Sequence, residues 1–184
     1  MNGSYAFDPR VSRFTVRAYA GGLLSAFAHN PTFAVRKFNA QLAMDPASPT
    51  MTTLKMVVDA LSLELTDNVS ESDRKEITRI MRDEVLEVER FPTIEFLSAR
   101  VDAQDFGGGR YHASVTGPFA LHGVTRDVTI EADAVMLGSS LRVYGDLPIR
   151  QSEFGIAPVS VAAQAIKVKD ELKCSFDLVA RLES

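Results

Sequence analysis

Few side chains in this 184-residue sequence could do chemistry: three histidines, one cysteine and scattered carboxylates. His29 stands in the run Ala-His-Asn-Pro, His112 in an alternating segment, and His122 directly before Gly123. None has a second histidine, a cysteine or a carboxylate at a familiar metal-ligand spacing, so no metal site is expected. An imidazole beside a turn glycine satisfies a backbone group as readily as it moves a proton. Leu137-Gly-Ser-Ser-Leu141 lacks the second glycine of a nucleophile elbow. Gly107–Gly109 runs into a strand pattern rather than a helix, which makes it a turn and not a phosphate cradle. The acidic residues alternate with apolar ones on strands, and no pair stands out for acid–base work. Cys174 falls on the apolar parity of the last strand, where a thiol serves as a small filler. The expectation is a protein with no catalytic residues, no metal and no cofactor.

What remains is an excess of large apolar residues at strand spacing: Phe14, Phe38, Met44, Met56, Met81, Phe96, Phe119, Met136 and Phe176. The elements that position them are clearest between Tyr111 and Leu137. There the apolar set runs Tyr111, Ala113, Val115, Phe119, Leu121, pauses at His122-Gly123, and resumes as Val128, Ile130, Ala132, Ala134, Met136. His112, Ser114, Thr116, Thr129, Glu131 and Asp133 alternate with them, which predicts a β-hairpin with one dry and one wet face. Other alternating stretches cover Tyr5–Ala18 (interrupted at Asp8-Pro9), Phe33–Met44 (Ala34, Phe38, Ala40, Leu42 and Met44 on one parity, with Arg36 out of phase), Leu54–Val58 with Leu61–Leu65 beyond a bend, Ile94–Val101, Leu141–Arg150 and Leu172–Glu183. Between them Ser70–Glu87 predicts a helix, with Ser70 and Asp73 as a capping box and Ile77, Ile80, Met81 and Val85 as its apolar stripe.

About eight antiparallel strands with one inserted helix suit an up-and-down barrel or a strongly curled sheet. No repeat, low-complexity tract or linker divides residues 1–184, so one domain is expected. A net charge of -4 offers no basic field to nucleic acid. The first residues form no basic segment ahead of an apolar run, and no stretch reaches the ~20 apolar residues of a membrane span. A cytoplasmic protein is the expectation, or a periplasmic one if a leader has been removed. On the residues alone two interiors are open: side chains that close-pack on one another, which the commonness of ordinary core favours, or a greasy tunnel to which adaptable methionines are suited.

The order of several motifs resembles the YceI-like family of lipid-binding proteins. Tyr5–Val16 (YAFDPRVSRFTV) is similar to its opening Asp-Pro-x-x-Ser segment, and Phe38–Pro46 (FNAQLAMDP) to its second strand and Asp-Pro turn. Val88–Phe96 (VERFPTIEF) resembles its Val-x-(Lys/Arg)-(Tyr/Phe)-Pro-x-Ile-x-Phe motif, placed just after the helix. Val115–Ile130 carries a Leu-His-Gly-Val-Thr-Arg run like the family's, Arg150–Ile156 (RQSEFGI) its Arg-x-(Asp/Glu)-Phe-Gly segment, and Val168–Leu172 (VKDEL) the opening of its last strand. Two stretches depart from the family pattern, Gly21–Pro31 and Ile156–Lys167, so one mouth of the barrel is expected to differ.

The resemblance implies a mainly β fold, an extended eight-stranded antiparallel, lipocalin-like β-barrel with one inserted α-helix, and reverses the preference for a filled interior. It implies a pore holding an isoprenoid lipid or quinone, with a homodimer as the assembly common in the family. Phe14, Val16, Met56, Val58, Phe96, Val115, Phe119, Leu147 and Phe176 are then expected to line the pore, Ile77 and Met81 to close it from the helix, and a polar head to sit near His29, Arg36 or His122. The competing readings are a filled barrel serving protein interaction or stress response, and a lipid-modifying enzyme using His122.

Overall fold

The computed structural model describes residues 3–21, 30–45, 48–161 and 166–183. Its main sheet is a closed antiparallel barrel of eight strands, each bonded to its neighbours in sequence. Four of them are broken once: β1 (Gly3–Phe7 and Arg13–Arg17), β2 (Thr32–Val35 and Phe38–Met44), β3 (Thr53–Asp59 and Leu63–Leu65) and β4 (Thr93–Leu97 and Arg100–Gly107). The other four are continuous: β5 (Arg110–Leu121), β6 (Val124–Leu137), β7 (Ser140–Arg150) and β8 (Glu171–Leu182). Closure comes where β8 meets β1, with Phe176 opposite Phe14, Cys174 opposite Val16 and Leu182 opposite Tyr5. Closure pairs most of each strand on both sides, while Leu63–Leu65 and Arg100–Gly107 are each bonded to a strand on one side only.

The breaks have local causes. Proline cannot donate to a ladder, and at Asp8-Pro9 the Asp8 carboxylate accepts from the backbone N and Nε of Arg10, both at 3.0 Å. Those bonds hold the Asp8 carboxyl down at about 2. In β3 the Asp59 side chain accepts from Leu61 N and starts a 3-10 turn over Ala60–Ser62. The break in β4 falls beside Gly117 of β5. A Cβ there would collide with the Leu97 carbonyl oxygen, so only glycine lets the two strands meet this closely.

The outer face of the β5–β6 hairpin is the wet one. Cross-strand partners bond in successive rungs: His112 Nδ1 to Asp133 at 2.9 Å, Ser114 Oγ to Glu131 at 2.6 Å and Thr116 to Thr129 at 2.9 Å. His112 is held at the other ring nitrogen too, 3.3 Å from Glu131. The Asp133 hydrogen bond raises its pKa above the ordinary value, with burial opposing.

The two ends of the barrel differ. At one, the loop end, short connections join β2 to β3, β4 to β5 and β6 to β7. At the other, the capped end, lie the β5–β6 turn, the β7–β8 connection and the helix between β3 and β4. That helix, α1 (Glu71–Arg79), is capped by Ser70, whose Oγ accepts from Asp73 N at 3.1 Å. It continues as π-helical turns over Ile80–Val85, where Leu86 N donates to Met81 O at 3.0 Å. A small three-stranded sheet of Ala20–Gly21, Ser160–Val161 and Ile166–Val168 accompanies the barrel. Among the described residues no helix is long and apolar enough to cross a membrane.

Candidate functional site

Inward-facing side chains of a barrel this size either meet at the axis or leave room for one small ligand. Here they leave room. The cavity between them has a volume of about 200 Å³. All eight strands contribute to its wall, for example Phe14 from β1, Val35 from β2, Met56 from β3, Phe96 from β4, Val115 from β5, Ile130 from β6, Val143 from β7 and Phe176 from β8. Several of these, including Val115, Ile130, Val143 and Phe176, are only half-buried although they point inward, as a hollow interior requires.

Nine residues expected at the pore line this cavity: Phe14, Val16, Met56, Val58, Phe96, Val115, Phe119, Leu147 and Phe176. Ile77 and Met81 do not. They pack instead on the core cluster that contains Phe38, Leu63 and Leu65, and the residues that reach the cavity from this segment are Val85 and Leu86. The sequence reading continued one regular helix to Glu87. Val85, the last residue of the expected stripe, does reach the cavity, and Leu86, just after the π turns over Ile80–Val85, joins it there. A phase change occurs in β2. The break at Arg36-Lys37 makes Val35, not Ala34, the cavity residue of its first half.

The wall offers few polar groups. Thr52 Oγ1 donates to Pro49 O at 2.6 Å, and Glu95 is exposed, bonded to Thr93 at 3.1 Å on the outer face. Burial pushes the Cys174 thiol up to about 12, which keeps it protonated and inert as a nucleophile. Tyr111 lines the cavity at the loop end. The residues expected to hold a polar head are elsewhere: Arg36 pairs with Glu64 at 2.8 Å on the surface, and His122 bonds Glu87 at 3.0 Å outside the cavity. His29 lies outside the described residues. No group of three or more His, Cys, Asp or Glu among the described residues could hold a metal ion.

Known proteins share this architecture. A family model described as a YceI-like domain matches residues 5–180. The chain belongs to the YceI-like family. Over 132 residues it is 32% identical to a UPF0312 protein of Pseudomonas putida (strain W619), a match covering 72% of this chain and 62% of that one. Among solved structures it resembles Burkholderia cenocepacia BcnA (TM-score 0.71, 22% identity, covering 94% of this chain and 98% of BcnA). It also resembles a polyisoprenoid binding domain from Saccharophagus degradans (TM-score 0.70, 14% identity, covering 97% and 98%). At these identities the likeness is one of fold.

In this YceI-like barrel, three of the motifs that carried the resemblance converge on the capped end. His122 and Gly123 form the β5–β6 turn with φ of 51° and 74°, the two-residue geometry whose twist matches a hairpin. The Phe91 ring lies 4.6 Å from the His122 ring and fills the place a Gly123 side chain would take. Glu87, also in the left-handed region at φ 44°, reverses the chain after the helix and bonds His122. Next to this, Gln151 is 2% exposed, and its Nε2 donates to Lys169 O at 3.0 Å. The 3-10 turn Gln151–Phe154 sets Phe154 edge-on to Phe119 at 5.5 Å, and Gly155 ends it at φ 70°. The motifs thus build a stopper across one end of the cavity, with Ile94 and Phe96 running from it into the wall.

Proposed function

We propose that the barrel binds one long apolar molecule, of polyisoprenoid or quinone type, and shields it from water without transforming it. The observation that carries this reading is an interior void walled by apolar side chains from all eight strands. Such a wall gains affinity from area and not from directed contacts, at about 0.8 kcal/mol per buried methylene. About twenty methylenes therefore gain roughly 16 kcal/mol, comparable to the upper part of an association cost of about 4–15 kcal/mol. The name of the Saccharophagus degradans domain, a polyisoprenoid binder of the same fold, supports the ligand class. Against catalysis stand the protonated Cys174 thiol and the engagement of His122 with Glu87 outside the cavity.

A small side chain on the wall offers the test. Ala113 lines the cavity and is half-buried, so Ala113→Phe adds a ring to the void rather than to close-packed core. Titration with a prenylated quinone followed by fluorescence is expected to give one site per chain in the wild type and at least tenfold weaker binding in Ala113→Phe. Equal affinities in the two proteins would remove the cavity as the site.

A further inference from the structure

The loop end carries a feature that lipid binding inside the barrel does not require. Each of its three inter-strand connections sets a large apolar residue outward. Met51 in the β2–β3 connection is 75% exposed, Phe106 before the β4–β5 turn 62%, and Leu137 before the β6–β7 turn 68%. In an up-and-down barrel these connections lie at the same end, so the three side chains project from one rim. The connecting tips Ser48–Thr52, Phe106–Gly109 and Leu137–Ser140 contain no Asp, Glu, Lys or Arg, and the charges that flank them, Asp45, Asp105 and Arg110, are of both signs. At the capped end, by contrast, Glu71–Arg79 is dense in both signs of charge. Apolar residues gathered at one place on a surface mark a contact with something apolar.

We infer that this rim docks on a neutral lipid bilayer. The cavity identifies the occupant. It reaches the same connections, where Pro49, Thr52, Ala103 and Tyr111 form its wall. An apolar chain leaving a bilayer under the rim passes from hydrocarbon to an apolar wall without crossing water. The uncharged tips fit headgroups with no net charge, and because the driving force is apolar burial, added salt does not weaken the contact. This inference rests on the reading of the interior as a lipid site, but the rim residues Met51, Phe106 and Leu137 are not part of the cavity wall, so the two can fail separately.

The test is flotation of the full chain with phosphatidylcholine vesicles at low and high salt. The wild type is expected to float equally at both. The combined variant Met51→Asp, Phe106→Asp, Leu137→Asp is expected to lose at least tenfold in vesicle binding while still taking up detergent-dispersed prenylated quinone with wild-type affinity. Ala113→Phe is expected to float like the wild type, which separates the rim from the cavity. Three outcomes overturn the inference: a wild type that stays in solution, a triple variant that floats undiminished, or loss of flotation in Ala113→Phe. A fourth does so as well: a wild type that is dimeric, does not float and becomes monomeric with the triple substitution, since the rim is then a contact between copies of this chain.

Discussion

The two ends of the barrel are built on different principles. The capped end is specified residue by residue. His122 bonds Glu87, Phe91 packs on His122, Gln151 holds the backbone at Lys169, and Phe154 stacks edge-on to Phe119. Several of these residues stand in left-handed backbone that other side chains resist, among them Glu87, His122, Gly123 and Gly155. The loop end has short connections, three projecting apolar side chains and Tyr111 on the wall below them. A stopper that is geometrically fixed needs particular residues, whereas a mouth for an apolar chain needs only an apolar character. The difference teaches why three motifs of the YceI-like family crowd one end and leave the cavity wall a matter of composition.

The comparison breaks most severely at the joint between the ends. Gly117→Ala forces a methyl against the Leu97 carbonyl, which is backbone and cannot swing aside. A loss of about 3 kcal/mol in urea unfolding is expected, and an unchanged midpoint would show that the β4 break is not held by this close approach. At the capped end, Gly123→Ala combines a φ of 74° with a methyl 2.6 Å from Phe91 Cε1. About 2 kcal/mol of destabilisation is expected from the same measurement, less than at Gly117 because a ring can give way. At the loop end, Tyr111→Phe keeps the ring that lines the cavity and removes only its hydroxyl. It is expected to weaken a prenylated quinone by about 1 kcal/mol, roughly fivefold, and a plain hydrocarbon of similar length not at all. Equal losses for both ligands would mean that the polar head lies elsewhere.

The smallest effect is on neither end but on the wet face of the hairpin. His112 has a raised pKa through Asp133, so its contribution to stability is fully present below its ordinary value of 6.5 and disappears as pH rises through the higher folded value. Both partners are exposed, so the contribution is slight. NMR titration of His112 should give a midpoint above 6.5 that Asp133→Asn lowers. A midpoint indifferent to Asp133→Asn would dissolve the pair.

Period-two alternation made the barrel legible, because each wall residue from Tyr111 to Leu121 and from Ile130 to Ala134 points inward in a continuous strand. Legibility ended where the backbone slips phase. In β2 the break exchanges Ala34 for Val35, and beyond α1 the helix turns Ile77 and Met81 away from the cavity, where Leu86 joins the expected Val85. A period counted along a sequence carries no sign of such a slip. The role of His122 was hidden for a related reason. Its partner Glu87 is 35 residues away in the sequence, and only the left-handed turns at both positions bring them together. Glycine at 123 announced the turn, but nothing in a histidine announces a positive φ.

The claim beneath all of this is that the barrel's interior is an unfilled site for one apolar chain. Native mass spectrometry after exposure to a prenylated quinone tests it most directly. The account predicts a single added mass equal to one ligand per chain in the wild type, lost on organic extraction and strongly reduced in Ala113→Phe. A wild-type mass that stays that of the bare polypeptide at saturating ligand would contradict it.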